Sequence, residues 1–254
     1  GTRLHAVLAP VAASGTCLSL RVLRPSTHDL AALAGSGSLP GVALEVARAI
    51  LRARLAFVIS GGTGSGKTTL LSALLSAVSP AERIVIAEDA EELRPAHPHV
   101  VRLVARSANV EGAGAVPLRE LVRQALRMRP DRLVVGECRG AEVRELLTAM
   151  NTGHSGVGGT IHANTAAAVP ARLNALGALA GLGPEAVRLQ AASALDVVIH
   201  VGRTQRGREV LCIGLVSDGA EGLTVLPAVG QSGMPGPAWP ALAARLGMDP
   251  EGAL

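Results

Sequence analysis

Short apolar runs and helix-spaced apolar positions alternate along most of this chain. Residues 4–8 and 16–23 ("TCLSLRVL") alternate in side-chain character like two short strands about the turn "AASG". Residues 24–41 are rich in Gly, Ser and Pro and read as a linker with about one helical turn. Helical spacing opens in "VALEVARAILRA", residues 42–53. From there the pattern predicts strand 56–60, helix 67–78, strands 83–88 and 100–105, helix 118–128, strand 132–136, helix 140–151 and strand 158–162. Helices at 165–180 and 184–195 follow, then late strands at Val197–Val201 and Val210–Val216. The runs "FVIS", "IVIA" and "LVV" carry no polar alternation. They predict strands buried on both faces, hence a mostly parallel sheet covered by helices.

The resulting organisation is a strand pair over 1–23, a linker over 24–41, an α/β domain over 42–217 and a Gly/Pro-rich stretch over 218–254. That last stretch, containing "VGQSGMPGPAWP", is expected to be a loosely ordered tail. No repeat of solenoid period is present.

Composition narrows the partners. The net charge is +4, and Phe57 and Trp239 are the only aromatic residues. Scattered arginines with almost no aromatic side chains argue against a nucleic-acid surface. No run of about 18 apolar residues marks a membrane span, and the N-terminus lacks the zones of a signal peptide. Three cysteines far apart suggest reduced thiols in a cytosolic protein. Lys67 is the only lysine; every other basic side chain apart from histidine is arginine.

That lysine sits in "GGTGSGKTT", after a predicted strand and at the start of a predicted helix. This is the arrangement of a phosphate-binding loop: Gly61, Gly62, Thr63, Gly64, Ser65, Gly66, Lys67, Thr68 and Thr69. Glycines let backbone amides approach phosphate oxygens, and a helix N-terminus adds partial positive charge. Lys67 would meet the outer phosphates and the Thr68 hydroxyl would hold Mg2+. Two acidic strand ends accompany it. In "RLVVGECRG" Gly136 takes the place where such sites carry Asp, and Glu137 follows; "RIVIAEDAEELRP" ends in Glu88, Asp89, Glu91 and Glu92. Alone, each also reads as a solvated acidic turn. Together they would converge at the carboxyl edge of one sheet. In "NTGHSGVGGTIHAN", His154 and His162 lack a third ligand at zinc spacing. Beside a nucleotide they would sense the γ-phosphate by hydrogen bonding; elsewhere they are ordinary histidines.

In this order the four segments resemble the bacterial type II/IV secretion ATPase superfamily, over about residues 3–216. "HVVRLVAR", "LVRQALRMRPDRLVVGECRG", "AMNTGH" and "TIHAN" are similar to its tight-adherence pilus branch, the CpaF-like group. The resemblance implies a RecA-like P-loop ATPase core behind a smaller N-terminal domain, here represented by its last strands. It implies ATP and Mg2+ as cofactors, a homo-hexameric ring, inner-membrane platform proteins as partners, and a cytoplasmic location at the inner face of the cell membrane. On the matching motifs it makes Lys67, Glu88, Glu137, His162 and His154 the catalytic set, with Thr68, Glu137 and Glu88 at the metal. Which glutamate is the base stays open. Arg3 and Arg21 become candidates to reach the phosphates, or else solvent-exposed strand arginines; Arg102 and Arg106 match family arginines near the site that would contribute charge at the subunit interface. Ala90 replaces the family's usual Thr, and Ser155 and Gly158–Gly159 depart from its pattern. The implied activity is ATP-driven secretion or pilus assembly. The alternatives are a DNA-handling motor of the same superfamily and a nonhydrolysing nucleotide-gated module. An ABC-type ATPase is disfavoured, because no "LSGGQ"-like segment occurs.

Overall fold

The structure, a computed structural model, describes residues 2–22, 28–109, 111–153 and 156–251. Two antiparallel strands come first, β1 (Thr2–Val7) and β2 (Cys17–Val22), with Arg3 paired to Arg21 in register.

The remainder builds one eight-stranded sheet. Its strands are β3 (Phe57–Ser60), β4 (Ile84–Glu88), β5 (Val100–Val104), β6 (Arg132–Cys138), β7 (Gly158–Ile161), β8 (Val197–Thr204), β9 (Gly207–Gly219) and β10 (Gly222–Val229). They lie in the order β10-β9-β8-β3-β7-β6-β4-β5. Every neighbouring pair from β8 to β5 is parallel, while β9 and β10 add as antiparallel strands. The α/β, mostly parallel expectation is met.

Strand alternation sorts side chains onto two cores. Phe57, Ile59, Ile84, Ile86 and Val134 face one layer. That layer is made by α1 (Leu30–Gly35), α2 (Gly41–Arg52), α3 (Lys67–Ser76) and α8 (Trp239–Leu246). Val58, Val85, Ala87, Leu133 and Val135 face the other. There α4 (Leu118–Leu126), α5 (Val143–Asn151), α6 (Val169–Leu179) and α7 (Pro184–Ala194) pack. Each fully buried aliphatic side chain contributes about 1.5–3 kcal/mol of transfer free energy. Unbroken apolar strands are therefore what a sheet covered on both faces requires.

The structure differs from the pattern reading at two places. Residues 218–251 are not a loose tail: β10 pairs along β9, and α8 buries Trp239 and Leu242 against the α2 side of the sheet. The densest Gly/Pro run spans only 230–237, and the apolar residues on either side of it still find partners. The linker also carries more structure than one turn suggests. Asp29 caps α1 by accepting from the Ala32 N–H at 2.7 Å, and Leu30, Leu33 and Leu39 enter the core.

Candidate active site

The chain leaves β3 at Ser60, turns through Gly61–Gly66 and enters α3 at Lys67. Gly61 has φ +157°, and a Cβ there would run into the Val201 carbonyl and the Ser65 hydroxyl. Only glycine lets β3 turn this close to β8. The Lys67 ammonium is buried and donates to the carbonyls of Gly61 (3.0 Å) and Gly62 (2.9 Å). Burial lowers its pKa and the charge of Glu137 opposes that. Ser65 Oγ donates to the Gly62 carbonyl at 2.9 Å, and Arg208 of β9 donates from Nε to the Gly64 carbonyl at 2.8 Å. The loop is thus braced from within and from the neighbouring hairpin.

Thr68 opens onto a small cavity of about 30 Å3 shared with Glu88, Asp89, Glu92, Glu137 and Arg139. The two acidic strand ends therefore do meet the loop. Glu88 closes β4 and is 3% exposed. One carboxylate oxygen accepts from the backbone N–H groups of Glu92 (3.2 Å) and Leu93 (3.0 Å). The other is buried and, among the described residues, has no hydrogen-bond partner. Burial pushes the Glu88 pKa up to about 7, against those two backbone donors.

This packing accounts for Gly136. A Cβ at that position would strike Glu88 Cγ, so the glutamate from β4 takes the volume that a β6 side chain would otherwise fill. The Thr160 hydroxyl donates to the Gly136 carbonyl at 2.7 Å, tying β7 to the same point. Glu137 is ion-paired to Arg139, whose Nε lies 2.7 Å from its carboxylate. Glu142 in turn accepts from the Gly140 N–H at 2.8 Å and fixes the turn after Arg139.

The remaining predicted residues fall in different places. His162 follows β7 immediately, at the same sheet edge, and is half-buried. His154 lies outside the described residues. Arg21 reaches the acidic segment and pairs with Glu92 at 3.3 Å. Arg3 faces Arg21 across the strand pair by its backbone register. Arg102 pairs with Glu91 at 3.1 Å. Arg106 donates to the Gly114 carbonyl at 2.7 Å and lines a separate cavity with Asp89. Among the described residues, neither Arg102 nor Arg106 lines a cavity bordered by the phosphate loop.

A wider cavity of about 540 Å3 opens beside Ser65, Gly66 and Thr69, with Leu33, Leu70, Val201 and Val210 giving it an apolar floor. Arg139, His200 and Arg208 are site neighbours that the motifs did not single out. Their signal is a polar residue closing or flanking an otherwise apolar strand, as in "VVIH" and "REVL". Among the described residues no three His, Cys, Asp or Glu side chains gather as a metal cage. Mg2+ needs none, since it is held by one or two carboxylates together with phosphate oxygens and water. The orphaned Glu88 oxygen, the Glu137 carboxylate and the Thr68 hydroxyl around one small cavity fit it.

Residues 2–212 match the family described as type II/IV secretion system protein. A Mycobacterium tuberculosis relative named for conjugal transfer is 62% identical over 220 residues, covering 87% of this chain and 62% of that protein. The type IV secretion system protein PtlH of Bordetella pertussis is 38% identical over 190 residues, covering 65% of this chain and 56% of PtlH. Among solved structures, the VirB11 ATPase of the Brucella suis type IV secretion system superposes with a TM-score of 0.60 at 25% identity. That match covers 85% of this chain and 71% of VirB11. The chain thus spans 62% of the length of the mycobacterial relative.

Proposed function

Because this chain belongs to the type II/IV secretion system protein family, we propose that it is the ATP-hydrolysing core of a secretion or pilus-assembly motor. The observation that carries this is the junction of Thr68, Glu88 and Glu137 around one cavity next to the buried Lys67 ammonium. A cation on a phosphate loop and two carboxylates at its mouth are what in-line attack of water on a γ-phosphate requires.

Lys67 neutralises the outer phosphates, which offer its ammonium stronger acceptors than the two loop carbonyls it now holds. The backbone amides of Gly64–Thr68 and the N-terminus of α3 receive the remaining phosphate charge. Thr68, with Glu88 or Glu137, holds Mg2+, which when bound neutralises developing negative charge. Whichever of Glu88 and Glu137 is not held by the metal is placed to take the proton from the attacking water. Glu137 must first leave Arg139, and that arginine is then available to phosphate oxygens. The apolar cavity floored by Leu33 and Leu70 takes the base. His162 links the γ-phosphate to movement of the fold, and His154 is the second candidate for that role. The β1–β2 pair is the end of a smaller N-terminal domain, and its Arg21 exchanges Glu92 for phosphate as nucleotide binds. The assembled form is a homo-hexamer at the inner face of the cell membrane, acting on platform proteins there. No helix among the described residues is long and apolar enough to cross a membrane.

A second reading, a DNA-handling motor, is favoured by the relative named for conjugal transfer. One experiment addresses both: steady-state phosphate release from ATP by the purified protein, with and without duplex DNA at several salt concentrations. The expected result is turnover that falls at least ~100-fold in Lys67→Ala and does not respond to DNA. Stimulation that vanishes steeply with salt favours the DNA reading. Turnover unchanged in Lys67→Ala contradicts the site, and no release by the wild type leaves a nonhydrolysing module.

A further inference from the structure

His200 interrupts the apolar run of β8 between Ile199 and Val201, directly beside Ser60 at the end of β3 in the parallel register. Both are buried, and Ser60 Oγ lies 2.9 Å from His200 Nδ1. Ser60 is the last residue before the phosphate loop. The backbone of Asn164, two residues beyond His162, lies against the same imidazole and raises its pKa against the effect of burial. The segment after β7 therefore reaches past the end of β3 to a side chain of β8. His200 and Asn164 line one cavity of about 380 Å3 along the flank of the loop, together with Gly62 and Gly64.

We propose that His200 is a positioning residue that ties the root of the phosphate loop to the segment carrying His162. This rests on the ATPase reading above and adds a residue to it. The chemistry suits the place. Burial lowers the imidazole's pKa, and a neutral ring offers one acceptor and one donor. One side of the ring serves the Ser60 hydroxyl and the other the Asn164 backbone. A shift of the loop root on phosphate binding would be transmitted through that ring to His162, without His200 touching the nucleotide. A buried leucine would fill the space and remove both polar contacts, the bond to Ser60 and the approach to Asn164. Glutamine, with an amide oxygen and an amide N–H, would keep them.

The test compares His200→Gln, His200→Leu and Ser60→Ala in the purified protein. It reads kcat and KM for ATP, melting temperature, and amide hydrogen exchange over residues 160–165 with and without Mg-ADP. His200→Leu is expected to lower kcat by roughly tenfold or more with KM within ~3-fold, and to lower the melting temperature by no more than roughly twice what Ser60→Ala does. Glutamine should restore most of the rate. Ser60→Ala should give a loss that adds little to that of His200→Leu, because both break one link. The nucleotide-dependent protection at 160–165 should disappear in the leucine variant and persist in the glutamine one. Equal behaviour of Gln and Leu, or full multiplication of the Ser60 and His200 effects, overturns the proposal. Hydrogen exchange reads the link even if the wild type releases no phosphate, so failure of the ATPase reading and failure of this one stay distinguishable.

Discussion

Glu88 and Gly136 are a matched pair, one side chain from β4 filling the room left by a missing one on β6. From sequence, Gly136 looked only like a departure from the usual acidic strand end; its reason is a neighbour 48 positions away. The same pair makes a pH-dependent prediction. Folding raises the Glu88 pKa from 4.5 to about 7. Between those values the folded state therefore holds more protons than the unfolded one, and stability falls as pH rises. In chelator-containing buffer, Glu88→Gln should be more stable than the wild type at pH 8, by up to about 3 kcal/mol. The gain should fade as pH drops to 4.5, as chemical unfolding at the two pH values will read. A gain equal at both would mean that Glu88 ionises as freely in the fold as outside it. Lys67 and the loop glycines were legible because spacing alone defines them. Arg208 and His200 were not, because their partners Gly64 and Ser60 stand 144 and 140 positions away; Arg139 was not, because only its ion pair with Glu137 marks it. Within the chain Arg102 pairs with Glu91 and Arg106 donates to the Gly114 carbonyl.

At the level of elements, strands with no polar alternation announced themselves. β3, β4 and the first part of β6 are buried along their whole length, as the runs "FVIS", "IVIA" and "LVV" required. β10 and α8 were hidden by composition. Glycines and prolines between them mask the alternation in "GLTVLPAV" and the helical spacing of Trp239, Leu242 and Ala243. Trp239 is 3% exposed and donates from its indole N–H to the Pro250 carbonyl at 2.9 Å. Trp239→Ala should therefore cost about 3–5 kcal/mol of stability, measured by denaturant unfolding. A loss under about 0.5 kcal/mol, the range of surface substitutions, would return this segment to the status of a loose tail.

Over the whole molecule, parallel strands explain how separate motifs become one site. β3, β4, β6, β7 and β8 all run the same way, so the phosphate loop, both acidic ends, His162 and His200 arrive at a single carboxyl edge. The sequence foretold that edge from fold class alone. It could not foretell the order β8-β3-β7-β6-β4, which sets His200 beside Ser60 and Glu88 beside Gly136. The central claim is that the loop and the two glutamates form one hydrolytic site. The most direct test is ATP turnover at saturating Mg2+ by Glu88→Gln and Glu137→Gln beside the wild type, with nucleotide affinity measured in parallel. Turnover should fall at least ~100-fold in both variants while affinity stays within ~3-fold. Wild-type turnover in either variant would contradict the claim.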